Sequence, residues 1–239
     1  MKPLLEIRDL KCSYRTEAGV GVAVDGVTFS VMEGRSLGLI GESGCGKTTV
    51  GRAIIRVMPH NMRIDGGQIL FKGQDLLSLP EKEMRELRWR EIAMVPQSSM
   101  HSLDPVYRVE DQFLEVLCKR GGLSKSEAKE RARQLFSLVG LDTDRLRYYP
   151  HEFSGGMKQR AVIAMALALQ PSLVIADEPV TALDVIVQDQ VLQVLQDLQN
   201  KLSISVIMIT HDMSVVAQTC QDMVVMYAGQ VVEAGPVRT

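Results

Sequence analysis

The sequence predicts an α/β fold built on a largely parallel sheet, and two features indicate it. Short apolar runs recur along the chain with helical stretches between them, an order typical of strands joined by crossover helices. That strand pattern stops at about residue 98 and returns only after residue 160, which predicts a helical insertion in the α/β core. The 239 residues are long enough for one large domain with such an insertion.

Strands are predicted where short apolar runs are bounded by turn residues. Residues 27–31 alternate between apolar and polar side chains, as in a strand with one buried face. Four runs are short and apolar, which is typical of strands covered on both faces: 36–40, 92–95, 173–176 and 205–209. Residues 223–227 and 230–233 flank a tight turn at Ala228-Gly229, which predicts a hairpin.

Helices are predicted where apolar residues recur every three or four positions. One covers residues 47–58 and ends before Pro59. Two more cover residues 125–139 and 188–202, each with its apolar side chains mainly on one face. A fourth, residues 161–169, is the longest apolar run, and it is far shorter than the roughly 20 residues that a membrane span needs.

Charge, cysteine content and the N-terminus exclude several classes of protein. The net charge of −2 disfavours a protein that binds nucleic acid over its whole surface. The four cysteines show no CxxC pair or disulfide framework, which indicates a reducing compartment. The first residues carry charges and no long apolar run, so they do not form a signal peptide. We therefore expect a soluble chain whose membrane role, if it has one, is exercised through a partner.

A phosphate-binding loop follows the predicted strand 36–40. The motif GxxxxGK[ST] and the residue after it are Gly41, Glu42, Ser43, Gly44, Cys45, Gly46, Lys47, Thr48 and Thr49. Glycines let main-chain amides wrap a phosphate chain, and the new helix adds the positive end of its dipole. Lys47 is expected to reach the β- and γ-phosphates, while the hydroxyl of Thr48 is expected to hold Mg²⁺. Cys45 is interpreted as a small residue in the loop.

Two acids end the apolar strand 173–176. Asp177 is expected to face the magnesium ion, because ligands in open α/β sheets gather at the carboxyl ends of strands. Glu178, one residue later, is expected to polarise the attacking water as a general base.

A second helix start suited to phosphate precedes the helix 161–169. Its residues are Phe153, Ser154, Gly155, Gly156, Met157, Lys158, Gln159 and Arg160. Ser154 is predicted to cap the helix, and the two glycines leave its first amides accessible. One nucleotide does not need two such sites, so this one suggests a nucleotide held by a partner protomer.

These motifs together resemble the ATP-binding subunits of ABC-type proteins over essentially the whole chain. The resembling pieces, in their expected order, are Tyr14, residues 41–49, Gln97, residues 153–159, Asp177-Glu178, Ala182-Leu183-Asp184 and Thr210-His211-Asp212. The resemblance implies a P-loop NTPase (RecA-like) core with an N-terminal antiparallel β region and an inserted α-helical subdomain. It implies ATP hydrolysis with Mg²⁺, the ion being held by Thr48, Gln97 and Asp177.

The resemblance also implies roles for individual residues. Tyr14 would stack on adenine, and Gln97 would touch the magnesium ion or water and sense a transmembrane partner. Ser154–Gly156, within the signature Phe153–Gln159, would bind the γ-phosphate held by the opposite protomer. Asp184 would lie at the dimer seam, and His211 would contact the γ-phosphate. The implied division is a core over residues 1–97 and 161–239, with the helical subdomain over 98–160.

A narrower likeness is to the ATP-binding subunits of dipeptide, oligopeptide and nickel importers. It is carried by residues 102–105, Asp111-Gln112, 149–151, 163–168 and Gln188. This likeness implies a second ATPase subunit, identical or paralogous, transmembrane permease subunits at the cytoplasmic face of the membrane, and an extracytoplasmic binding protein acting indirectly. Two departures stand out: Val180 replaces a threonine, and the chain stops at Thr239, where a C-terminal extension is expected, so we expect a fragment.

Three other functions stay open on the sequence. One is import of nickel or another small solute by the same machinery. Another is an ABC ATPase acting on DNA, disfavoured because no sustained heptads separate the motifs and the overall charge is acidic. The third is a binding module in which nucleotide only drives assembly, disfavoured by the presence of Glu178, His211 and the signature.

Overall fold

The computed structural model describes residues 2–17, 19–97, 102–181 and 183–237. The chain forms two compact units, which are presented separately. The first comprises residues 1–88 and 205–239, and the second comprises residues 89–204. In the described ranges, no helix is long and apolar enough to span a bilayer.

An antiparallel sheet makes up the N-terminal part of the first unit. β1 (Pro3–Thr16) and β2 (Gly19–Met32) form a long antiparallel hairpin. β1 also pairs antiparallel with β4 (Met62–Phe71), and β4 pairs antiparallel with the short strand β5 (Gln74–Asp75). The predicted alternation in β2 is confirmed, because Val27, Phe29 and Val31 are buried and the residues between them are exposed. β1 has no such clean alternation, since register shifts interrupt its pairing near Asp9.

A second group of strands in the first unit carries the phosphate loop. β3 (Ser36–Ile40) lies between β8 (Ser205–Thr210) and β9 (Asp222–Tyr227), parallel to both, and β10 (Gln230–Pro236) returns antiparallel to β9. The described helices of this unit are α1 (Lys47–Ile55), most of α2 (Glu81–Arg90) and α7 (Met213–Thr219). Ile40 pairs with Thr210 and Val225, so the loops after three strands leave the same edge.

The second unit combines a parallel strand pair with four helices. β6 (Ile92–Val95) pairs with β7 (Leu173–Asp177), and the helices are α3 (Val109–Lys119), α4 (Lys125–Leu138), α5 (Gly155–Ala166) and α6 (Val185–Leu202). Two 3-10 turns, Thr143–Arg147 and Pro150–Glu152, precede α5. Phe113 of α3 packs edge-on against Phe136 of α4 at 5.4 Å between ring centroids, and Phe136 packs in the same way on Phe153 at 6.5 Å. This aromatic row fixes the residue that opens the signature.

Predicted and observed elements agree closely for buried strands and less well at helix ends. The strands 36–40 and 92–95 have the predicted bounds, and the predicted hairpin is β9–β10. The helix predicted over residues 47–58 ends at Ile55, because Arg56 takes a left-handed conformation (φ 51°) and its amide donates back to Ala53. The helix predicted from residue 188 begins at Val185, because Asp184 caps it.

Candidate active site

The phosphate loop connects β3 to α1 through glycines in the left-handed region. Gly44 has φ 85° and Gly46, which precedes the first helical residue, has φ 106°. A Cβ atom on Gly46 would collide with the carbonyl oxygen of Ala23, and one on Gly41 with that of Met226. Positions 41 and 46 therefore require glycine for both conformation and space. No side chain caps the start of α1 at Gly46, which leaves the helix N-terminus accessible.

The side chain of Lys47 folds back over the phosphate loop and contacts its first residues. Its Nζ donates to the carbonyl oxygens of Gly41 at 2.6 Å and Glu42 at 2.8 Å, and its side chain is only 5% exposed. These bonds hold a positive charge above the same turn that presents the loop amides. A phosphate chain lying in the loop would meet that ammonium group directly.

His211 and the phosphate loop line one cavity. The cavity has a volume of about 450 Å³, and its lining includes Gly41, Glu42, Ser43 and His211. The pairing of Ile40 with Thr210 explains this, because Gly41 and His211 are the next residues along adjacent parallel strands. The structure thus brings together two motifs separated by most of the sequence.

Asp212 fixes the chain immediately after His211. Its carboxylate accepts hydrogen bonds from the hydroxyl of Ser214 at 2.6 Å and from the amide of Ser214 at 2.8 Å, and it caps α7. These bonds hold the pKa of the Asp212 carboxyl below its ordinary value, the side-chain bond from Ser214 being the largest cause. The carboxylate therefore stays ionised beside His211 at neutral pH.

Tyr14 lies next to α1, the helix that follows the phosphate loop. Its hydroxyl and that of Thr49 are 3.2 Å apart, within hydrogen-bond distance, and Tyr14 is half-buried on β1. The contact places the hydroxyl of Tyr14, the predicted adenine-stacking residue, beside α1. Thr49, predicted to bind nucleotide, is itself buried and in contact with Tyr14.

The acid pair ends β7 in the second unit. Asp177 is 1% exposed and Glu178 is 9% exposed. Glu178 has φ 49°, a left-handed conformation that is uncommon for a residue other than glycine. Its Oε2 accepts a hydrogen bond from the hydroxyl of Thr181 at 2.6 Å. Two carboxylates therefore sit at a strand end, and the second is oriented by a neighbouring hydroxyl.

The signature residues begin α5 as predicted. Ser154 caps the helix, since its Oγ accepts from the amide of Met157 at 3.3 Å, while Phe153 and Gln159 are buried. A Cβ atom on Gly156 would collide with the side chain of Val187, so the start of α5 packs closely against α6. The glycines thus serve a packing function as well as leaving the helix start accessible.

Gln97 and Asp184 lie beside the ends of two elements of the second unit, β6 and α6. Gln97 is exposed and follows β6, whose Val95 pairs with Ala176, so Gln97 and the acid pair leave the same edge of the β6–β7 pair. Asp184 is exposed, and its Oδ1 accepts from the amide of Val187 at 3.0 Å at the start of α6. Ala182, which precedes it in the predicted seam motif, lies outside the described residues.

The predicted magnesium ligands have a suitable chemistry. A hydroxyl from Thr48, an amide oxygen from Gln97 and a carboxylate from Asp177 are all hard oxygen donors, the type that Mg²⁺ prefers. In the described ranges, no group of three or more His, Cys, Asp or Glu residues could hold a metal ion by itself. Such an oxygen donor set fits an ion that takes part of its coordination from nucleotide phosphates, as Mg²⁺ usually does.

Comparison with known proteins decides the family. The model of the ABC transporter family matches residues 24–181. The chain is 48% identical to a probable peptide ABC transporter ATP-binding protein, y4tR, of Sinorhizobium fredii, and 49% identical to the oligopeptide transport ATP-binding protein OppD of Bacillus subtilis. This chain belongs to the ABC transporter family.

The extent of these matches differs between the chain and its relatives. Each alignment covers 98% of this chain, but 71% of the Sinorhizobium protein and 66% of the Bacillus protein. The ABC fold is also found in a solved dimeric structure of the bacterial ABC transporter cassette MJ0796, with a TM-score of 0.87 over 98% of this chain and 99% of that one, at 24% identity. The fold predicted from the motifs, a P-loop NTPase core, is confirmed.

One side chain in this ABC chain was missed from the sequence. Thr181 has none of the roles predicted from the motifs, yet its hydroxyl donates to Glu178, the expected general base. A signal was present, because Glu178-Pro179-Val180-Thr181 has proline at the second position of a four-residue turn, which brings its first and last residues together. The neighbouring departure, Val180, is 6% exposed, so an apolar side chain suits that position.

Proposed function

We propose that this chain is the ATP-binding and ATP-hydrolysing subunit of an ABC transporter that imports peptides. The observation that carries hydrolysis is the position of Glu178, a nearly buried carboxylate directly after Asp177 at the end of β7. The peptide cargo rests on the relatives, whose names describe peptide, oligopeptide and dipeptide transport.

In the proposed mechanism, each residue acts at its own part of ATP. Tyr14 stacks on the adenine, while Lys47 and the loop amides bind the phosphates. His211 contacts the γ-phosphate, which faces the cavity it shares with the loop. Glu178 polarises the water that attacks the γ-phosphate.

Magnesium and a second subunit complete the proposed site. Thr48, Gln97 and Asp177 would hold Mg²⁺, which would neutralise charge on the phosphates. Two subunits, identical or paralogous, close head-to-tail, with Asp184 at the seam. Ser154–Gly156 of each subunit then bind the γ-phosphate held by the other, and the N-terminus of α5 supplies favourable amides. The subunit acts on permease subunits from the cytoplasmic face of the membrane.

The decisive variant is Glu178→Gln, which keeps the shape of the side chain and removes its basicity. We expect phosphate release to fall by about 100-fold or more, because a general base typically contributes about 10²–10⁴-fold. Size-exclusion chromatography with ATP and Mg²⁺ should show an accumulated dimer. Glu233→Gln, an exposed change on β10, is the control and should behave as the unmodified protein. Retained turnover in Glu178→Gln would reject the role given to Glu178.

The cargo is tested separately from hydrolysis. The full-length subunit, reconstituted in vesicles with its permease and binding protein, should accumulate labelled peptide in an ATP-dependent manner. Uptake of Ni²⁺ in place of peptide would leave the ATPase assignment intact and correct the cargo.

A further inference from the structure

The turn after Glu178 contains a hydroxyl to which the mechanism above gives no task. Thr181 is exposed, and its Oγ1 donates to Oε2 of the nearly buried Glu178 at 2.6 Å. That distance is typical of a charge-assisted bond between a hydroxyl and a carboxylate. The bond therefore holds one of the two carboxylate oxygens of Glu178 in a defined position.

The backbone of the turn holds the same two residues together. Glu178 has φ 49° and is followed by proline, a combination that persists only where surrounding contacts determine it. The amide of Thr181 donates to the carbonyl oxygen of Glu178 at 3.3 Å. Residue 181 is thus tied to residue 178 by its main chain and by its side chain.

The turn is also fastened to α6. The amide of Leu183 donates to the carbonyl oxygen of Val180 at 3.3 Å, and the side chain of Gln188 donates to the carbonyl oxygen of Leu183 at 3.1 Å. Asp184 caps α6 through the amide of Val187. Hydrogen bonds thus fix the turn at Glu178 on one side and, on the other, at the first turn of α6, where the proposed dimer seam lies, and the main chain connects the two.

We propose that Thr181 is a positioning residue for Glu178, and that it links the orientation of this carboxylate to the seam residue Asp184. The inference rests on the proposed function, because it assumes that Glu178 is the general base. The buried Val180 packs the turn, and Thr181 supplies the hydroxyl that orients the base. Thr181 contacts neither ATP nor water in this scheme and acts only through Glu178.

The first test compares Thr181→Val with Thr181→Ser in the full-length subunit assembled with its membrane partners. We expect Thr181→Val to lower kcat for ATP hydrolysis by roughly tenfold or more, as the loss of a hydrogen bond to a charged group predicts, and to leave KM for ATP within about twofold. Thr181→Ser keeps the hydroxyl and should restore most of kcat. Thr16→Val removes an exposed hydroxyl that donates to the carbonyl oxygen of Gly19, far along the sequence from the turn, and should leave both constants unchanged.

The second test is a double-mutant cycle under single-turnover conditions. If Thr181 acts through Glu178, Thr181→Val should have little further effect on the residual hydrolysis rate of Glu178→Gln. A full additional loss in that background, an unchanged or increased kcat in Thr181→Val, or equal defects in the valine and serine variants would overturn the inference. Those outcomes differ from failure of the proposed function, in which Glu178→Gln itself would retain turnover.

Discussion

The phosphate loop, in the first unit, presents main-chain amides at its glycines, whereas the end of β7, in the second unit, presents the carboxylates of Asp177 and Glu178. Gly41 and Gly46 expose amides because no side chain fits at either position. Asp177 and Glu178 are carboxylates held almost out of solvent at a strand end. The phosphate loop depends on the shape of its backbone, and the end of β7 depends on its two carboxylates.

This contrast indicates which substitutions affect binding and which affect turnover. A change at a loop glycine should alter the backbone, and with it both folding and nucleotide affinity. A change of carboxylate to amide in the other region should keep the fold and affinity but remove the chemistry. The predictions below test that separation, beginning with the largest effect.

Lys47→Ala should remove most of the affinity of the chain for ATP. The buried ammonium group offers charge-assisted hydrogen bonds to phosphate, and its loss should raise the Kd for ATP by roughly 100-fold. Isothermal titration calorimetry measures this, with Lys11→Ala, an exposed change on β1, as the control. Undiminished affinity would reject the phosphate-loop assignment.

Gly46→Ala should destabilise the first unit far more than Gly44→Ala does. Both glycines have positive φ, which costs an alanine about 1 kcal/mol, but only the Cβ atom at position 46 would collide with the carbonyl oxygen of Ala23. We expect a loss of unfolding free energy of roughly 2–4 kcal/mol at Gly46 and about 1 kcal/mol at Gly44, measured by urea denaturation. Equal losses at the two positions would contradict the steric explanation.

Ser154→Ala should have a moderate effect on the stability of the second unit. Removing the cap of α5 should lower the unfolding free energy by about 1 kcal/mol, and Ser154→Thr should retain most of it because the hydroxyl acceptor remains. Denaturation with urea checks the stability of both variants. A loss just as large in Ser154→Thr would show that the cap does not stabilise the helix.

The smallest expected effect is the pH dependence that Asp212 contributes. Its pKa is lowered in the folded protein, so the ionised carboxylate stabilises the fold above its unfolded pKa, and this contribution is lost as pH falls through the folded pKa. Asp212→Asn should therefore be less stable than the unmodified protein at pH 7, and the difference should shrink below about pH 4. A difference independent of pH would show that the charge of Asp212 is not what stabilises this turn.

Much of the fold follows from local sequence. The strands 36–40 and 92–95 could be bounded from apolar runs because they are buried over most of their length. Ser154 could be assigned as a cap because a serine before two glycines and a helical stretch has few alternatives. β1 was not predicted as a separate strand, since its register shifts interrupt the alternation that a sequence search detects.

The sequence by itself determined the motifs, their order and the residue types at each candidate site, because those depend on chemistry and spacing along the chain. Only the tertiary structure decided that His211 and the phosphate loop share a cavity, and that Tyr14 rests on Thr49. Both contacts join residues far apart in sequence, and the parallel pairing of β3 with β8 accounts for the first. The bond from Thr181 to Glu178 is local, but it depends on a left-handed backbone at Glu178 that no propensity predicts.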